Sequence, residues 1–295
     1  MTSKYNIAIL MATYNGQAYI ADQILSIKHQ LNCNVDIFYS DDVSTDNTQK
    51  ICQNYGLINL NSEKIKFGSS AMNFFHLMLA FNKELYCQYD YILFSDQDDI
   101  WLPNKVVSAI RYLQNNSGDC YSGSFFAFEN KKIRYVNKAR KQTECDYLFA
   151  SPGPGFTFTF TRSAFSRIAS ELSTKTNLQL IRWHDWYIYA LARSAGLKWC
   201  IDKEAYALYR IHQNNDTGLK NSLRGMLFRV KFLYGKEYKM QVLNMPSSPR
   251  GRKIQNMLHH LTFSKRLYLI SRMGLFRARL LDKLAIFMWL LIIRR

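Results

Sequence analysis

Apolar positions along the chain fall into two rhythms, and their alternation predicts the architecture. Ile7 to Met11 and Tyr91 to Phe94 are unbroken apolar runs, the pattern of strands covered on both faces. Val35 to Tyr39 forms a third strand between them. Elsewhere the apolar spacing lengthens to three and four residues, through Ile20, Ile24, Ile27 and Leu31 and again through Met72, Phe75 and Leu79, which is the period of a helix. A helix from about Asn47 to Tyr55 can be capped by Asp46, and a short strand falls near Ile58 to Ile65. Pro103 suits the first turn of a helix over Asn104 to Asn115. Alternating strands and helices predict an α/β fold, a mainly parallel sheet with right-handed crossovers and helices on both faces.

Beyond residue 120 the alternation loosens. Phe125 to Phe128 and Phe156 to Phe160 read as strands, Ser163 to Leu172 as a short helix, and Trp183 to Ala195 as a helix that Gly196 can end. Two further strands are expected at Leu197 to Ile201 and Ala205 to Tyr209. Leu223, Met226, Leu227, Val230 and Leu233 then recur at helical spacing, Pro246 to Pro249 breaks the chain, and a second helical stretch starts near Arg252.

The strands end in polar segments, and these hold the candidate chemistry. Thr13 to Gly16, Asp41 to Asp46 and Asp96 to Asp99 all leave strands that, in a parallel sheet, point to one edge, where open α/β sheets bind ligands. Asp96, Asp98 and Asp99 repel one another unless a cation joins them, and carboxylate oxygens favour Mg²⁺ or Mn²⁺ sharing its sphere with phosphates. The alternative is a polar turn with one aspartate capping the next helix. Neither a Gly-x-Gly-x-x-Gly run nor a Walker lysine motif is present, so the usual dinucleotide and P-loop readings lack their glycines.

Charge divides the chain in two. Its formal charge is +17, and residues 220–295 hold 17 Lys and Arg against Glu237 and Asp282, a net of +15 that leaves +2 for the rest. The expected organisation is therefore a nearly neutral domain over residues 1–218 and a basic α-helical tail over 219–295. The run Leu284 to Ile293 is apolar but too short to span a bilayer, which needs roughly 20 residues. A basic amphipathic helix of this kind can lie on an anionic membrane surface, and its apolar face can instead pack on the body or on a second subunit as a homo-oligomer. Nucleic acid is not the expected partner. Six cysteines without a Cys-x-x-Cys pair, and no convincing signal peptide, fit a cytoplasmic protein held peripherally on the inner face of the cell membrane.

Six motifs occur in a telling order: Ala12-Thr13-Tyr14-Asn15-Gly16, Asp41-Asp42-x-Ser44-x-Asp46, Asn73-Phe74, Asp96-Gln97-Asp98-Asp99-x-Trp101, His184-Asp185-Trp186 and Tyr209-Arg210-x-His212-x-x-Asn215. Over residues 5–218 the chain resembles the family-two glycosyltransferases of GT-A fold, especially their bacterial rhamnosyltransferase-like branch. The resemblance implies a metal-dependent, inverting transfer of a sugar, best read as rhamnose from dTDP-rhamnose, with UDP-sugars as the other donor class. It implies a saccharide or lipid-linked acceptor in cell-surface polysaccharide synthesis. Carried over by residue, Ala12, Thr13, Tyr14, Asn15 and Asp41 form the nucleoside pocket, where Asp41 would accept the base N3–H. Asp96 contacts ribose and diphosphate, Asp98 binds the metal with His212, Arg210 meets the diphosphate, and Asp185 is the catalytic base. Asp99, Trp101, His184 and Trp186 are expected to contact the acceptor or orient their neighbours, with Trp183 and Trp186 as aromatic platforms for a sugar face. The two other readings are a non-catalytic nucleotide-sugar binding or scaffold protein and a basic nucleic-acid-binding protein.

Overall fold

The computed structural model describes residues 5–129, 132–212, 215 and 235–293. The first strand, β1 (Tyr5–Thr13), shows why the unbroken apolar run is needed. Ala8 and Leu10 project into one core cluster while Ile7, Ile9 and Met11 project into another, so both faces are dry. Helix α1 (Ile20–Lys28) covers the second face through Ile20, Ile24 and Ile27. Strand β2 (Cys33–Asp41) follows, then α2 (Thr48–Asn54), the two-residue β3 (Ile58–Asn59) and α3 (Ser70–Ala80), which covers the first face with Phe74, Phe75 and Met78. After the single turn α4 (Lys83–Tyr86), β4 (Tyr91–Ser95) enters beside β1. β3, β2, β1 and β4 are parallel neighbours, so their carboxyl ends share one edge.

The sheet then changes direction. Strand β5 (Ile100–Trp101) is short, α5 (Lys105–Asn115) crosses the second face, and β6 (Cys120–Glu129) pairs with the hairpin strand β7 (Lys132–Val136). β8 (Thr159–Thr161) lies antiparallel between β4 and β6, and β9 (Trp199–Arg210) runs parallel to β6, giving the order β3-β2-β1-β4-β8-β6-β9-β5. The parallel half is thus joined to a mixed half. Two sequence expectations shift here. Pro103 lies outside its helix, which starts after Asn104, and Ile100 and Trp101 pair with Leu208 and Ala207 just before it. The two late strands are one, because a register shift after Gly123 in β6 lets β9 continue unbroken.

Helices α6 (Arg162–Ser173) and α7 (His184–Ser194) pack on α3, and α7 stops at Gly196, whose φ of +79° suits glycine. Part of the tail is described: α8 (Lys236–Leu243), α9 (Pro249–His259), α10 (Phe263–Ser271) and α11 (Leu280–Ile292). They do not stand apart. Tyr238, Val242, Leu258, Phe276, Ile286, Trp289 and Leu290 share one buried cluster with Tyr147, Phe149 and Trp186 of the body. The expected helix through Leu223 and Leu233 lies outside the described residues. Among the described residues no helix is long and apolar enough to cross a membrane.

Candidate active site

Four strand ends build the site. β1 delivers Thr13 beside Asp41 of β2, and Asp42 N–H reaches back to the Thr13 carbonyl at 2.9 Å. The Asp41 carboxylate, nearly buried, accepts Thr13 Oγ1 (2.8 Å), Ser44 N–H (2.7 Å), Ser44 Oγ (2.6 Å) and Gln49 Nε2 (2.7 Å). Four bonds fill a carboxylate's usual capacity, so a base N3–H reaches Asp41 by replacing one of them; two come from Ser44 in the turn, one from Thr13 of the neighbouring strand and one from the longer Gln49 side chain of α2. Val43 pays for that turn with a φ of +58°, a strained conformation for a β-branched residue. Asn15, at φ +46°, donates its N–H to Ser44 Oγ and accepts the Thr45 N–H on its Oδ1, each at 2.8 Å. Tyr14 is half exposed, with its backbone N–H and carbonyl clasped by the Gln97 amide at 2.9 and 2.8 Å. A side chain on Gly16 would strike that amide, its ideal Cβ lying 2.2 Å from Gln97 Oε1. Ala12 packs on the core, partly buried, just below this loop.

β4 ends at Ser95, and its three aspartates then separate by burial. Asp96 and Asp98 are partly exposed at the edge, while Asp99 is fully buried. The Asp99 Oδ1 accepts the Arg210 N–H at 3.2 Å, and its Oδ2 has no hydrogen-bond partner among the described residues. Burial, reinforced by Asp98 and Asp96, pushes its carboxyl well above the usual range. Lys105, buried nearby with its Nζ 3.4 Å from the centre of the Trp101 ring, is pulled down by burial to about 7. Asp99 and Trp101 are both buried, a placement that suits the orienting half of the role expected of them.

The end of β9 closes against this turn. Arg210 Nε donates to the Asp98 carbonyl at 3.1 Å, its guanidinium pairs with Asp22 at 3.1 Å, and it lies over Tyr19 and Phe128 at 4.9 and 5.0 Å. His212 Nε2 meets Asp98 Oδ2 at 2.8 Å, and Asn215 fixes the segment through the His212 N–H (2.6 Å) and the Arg210 carbonyl (3.1 Å). A carboxylate oxygen and an imidazole nitrogen at this separation suit a divalent cation that keeps other positions for phosphate and water. Among the described residues no group of three or more His, Cys, Asp or Glu is gathered for a metal.

Asp185 comes from a different element. It sits in the first turn of α7, whose start is pinned by His184 stacked on Phe74 (4.0 Å between ring centres, 18° between planes) and 6.5 Å from Phe94 of β4. Phe94 lies two residues before Asp96, so the helix opens beside the same strand end. Asp185 accepts its neighbour's Trp186 N–H at 2.7 Å and Ser151 Oγ at 3.1 Å. Burial raises its carboxyl to about 6, against those hydrogen bonds and the pull of Lys138. His184 is held neutral, burial lowering it to about 3, and an ideal Cβ on Gly155 would lie 2.5 Å from its Nε2. Trp186 is buried, donating Nε1 to the Tyr147 carbonyl at 2.7 Å, so it cannot present a sugar platform. Trp183 is partly exposed and stacks on Trp186 at 6.2 Å between ring centres. Sequence reasoning missed Ser151, Gln97, Asp22 and Tyr19, whose roles arise from contacts 34 to 193 positions apart.

Residues 8–176 match the model of Glycosyl transferase family 2. The chain is 37% identical over 245 residues to the dTDP-rhamnosyl transferase RfbG of Shigella flexneri, covering 81% of this chain and 84% of that one. Its fold is similar to TarS 1–349 from S. aureus (TM-score 0.54, 13% identity, 91% of this chain and 92% of that one). It is also similar to a mannosyltransferase from Pyrobaculum calidifontis solved with GDP-Man and Mn²⁺ (TM-score 0.55, 12% identity, 97% and 79%).

Proposed function

The chain belongs to glycosyl transferase family 2, and we propose that it moves rhamnose from dTDP-rhamnose to a saccharide or lipid-linked acceptor, working at the inner face of the cell membrane. It is a nucleotide-sugar glycosyltransferase of GT-A fold; the donor, the metal and the residue roles are our reading. The donor assignment leans on the Shigella relative, and the mechanism leans on one observation, an aspartate raised to about 6 beside the edge where the aspartate turn opens.

The nucleoside sits on Thr13, Tyr14 and Asn15, with Asp41 organising the pocket and receiving the base N3–H when Gln49 gives way. Asp96 meets the ribose and diphosphate. Asp98 and His212 would hold Mg²⁺ or Mn²⁺, which when bound would supply positive charge beside the diphosphate. Arg210 adds a fixed cation on the same side, its guanidinium held in place by Asp22 and by the Tyr19 ring. Asp185 takes the proton of the attacking hydroxyl as that hydroxyl bonds to the anomeric carbon and the diphosphate leaves from the opposite face, which inverts the configuration. A carboxylate near 6 is ionised at neutral pH yet far more basic than an ordinary aspartate, the compromise that general-base chemistry favours. Ser151 steadies one of its oxygens.

A donor panel tests the reading. With Mn²⁺ present, dTDP-rhamnose should be turned over and should raise the melting temperature more than UDP-glucose or UDP-GlcNAc. EDTA should remove the turnover. Equal response to every donor would overturn the rhamnose assignment, and turnover untouched by EDTA would overturn the metal.

A further inference from the structure

Helix α11 is apolar almost all round, with only Asp282 and Lys283 charged among its 13 residues, yet only one side is covered. Ile286, Trp289 and Leu290 are buried on the body, where Trp289 meets Phe149 and Tyr238 at 6.1 and 5.1 Å between ring centres. Leu281, Leu284, Met288, Leu291 and Ile292 recur every three or four residues on the other side and are exposed, Leu281 to 79%. Its neighbour α10 adds Phe263, 74% exposed, with Leu267 and Tyr268. A soluble surface rarely leaves so many large apolar side chains together.

We infer that this outer face of α10 and α11 is a docking surface for an anionic lipid bilayer, into which it inserts lying flat. Charge selects the occupant. Residues 263–293 carry six Lys and Arg against the single acid Asp282, and Arg294 and Arg295 follow directly in sequence. Arg277 is buried against the Asp146 and Phe149 carbonyls and Arg266 is engaged by the Leu290 and Ile293 carbonyls, which leaves Lys265, Arg272, Arg279 and Lys283 as the outer cations. A second copy would bring the same positive charge to the interface and be repelled, whereas acidic headgroups are attracted to it. Length fixes the pose: 13 residues of helix extend about 20 Å, short of the roughly 30 Å hydrocarbon core. Leucine and phenylalanine then enter the acyl boundary while Arg272, Arg279 and Lys283 stay among the headgroups. The inference deepens the functional reading, since it names the surface that holds the enzyme beside a lipid-linked acceptor. The covered face of the same helix packs through Tyr238, whose ring centre lies 5.5 Å from that of Trp186, the residue after Asp185, so the docked face and the base belong to one packed unit.

The test is flotation of the full chain with vesicles of phosphatidylglycerol and phosphatidylcholine, compared with phosphatidylcholine alone, alongside melting shifts with dTDP. The wild type should float with the anionic vesicles and far less with the neutral ones, and weaken without vanishing in about 0.5 M salt. Leu281→Glu with Leu284→Glu, both exposed and so harmless to folding, should cut vesicle binding roughly tenfold or more and leave the dTDP shift in place. A wild type that stays in the soluble fraction, or a double variant that floats equally well, would overturn the inference. So would sedimentation that finds a dimer which the double variant splits. Should the dTDP shift be absent while flotation persists, the donor reading fails and the docking surface stands.

Discussion

At Asp185, two opposing effects set the chemistry. Burial favours the neutral acid, and two hydrogen bonds and Lys138 favour the anion, leaving the group at about 6. Transfer should therefore fall as pH drops through about 6, with the slope of one proton, and a rate profile that stays flat down to pH 4.5–5 would place the base elsewhere. The same shift carries a stability consequence. The folded value lies above the ordinary 3.8, so ionisation costs stability; that cost is absent below about pH 4 and complete above about pH 6. Asp185→Asn should thus melt higher than wild type at pH 8 and equal to it near pH 4, by differential scanning fluorimetry, while losing activity. For the metal, Asp98→Ala should abolish transfer and the Mn²⁺-dependent part of nucleotide binding with the melting temperature nearly unchanged; retained metal dependence would move the site. Much at this scale was legible because polar residues at strand exits have few structural reasons to be there. Burial was not. Asp99, Trp101 and Trp186 sit in the right motifs, and nothing in their spacing says that they face inward.

Among the elements, those that read most clearly were buried on both faces or amphipathic over three turns, β1, β4, α3 and α5. β5 escaped notice because a two-residue strand carries no period, and its pairing with β9 depends on residues over a hundred positions away. That pairing matters, since it sets Arg210 and His212 against the aspartate turn. The Gly155 turn is equally exacting. Gly155→Ala places a methyl against the stacked His184 ring, which cannot move without disturbing Phe74, and should lower both the melting temperature and transfer while a Ser151→Ala control costs activity alone. Normal rates in Gly155→Ala would show that the ring yields freely.

For the molecule as a whole, charge and core divide it differently. The charge boundary falls near residue 219, as composition predicts, but the hydrophobic cluster crosses it, joining Trp289, Tyr238 and Phe276 to Phe149 and Trp186. Periodicity in the tail announced helices without saying which face met the body. Trp289→Ala should accordingly destabilise the catalytic domain by about 3–5 kcal/mol, the usual range for a buried tryptophan, read as a shift in the denaturation midpoint of the full chain. A change below about 1 kcal/mol would restore the picture of a loosely attached tail. The central claim is narrower, that this chain is a rhamnosyltransferase with Asp185 as its base. The most direct measurement is the amount of rhamnose passed from dTDP-rhamnose to membrane-extracted acceptor by wild type and Asp185→Asn, at neutral pH with Mn²⁺. The account predicts robust transfer by the wild type and a loss of about 10²–10⁴-fold in the variant, with dTDP affinity preserved. Transfer from UDP-sugars in preference to dTDP-rhamnose, or a variant that keeps most of its rate, would contradict it.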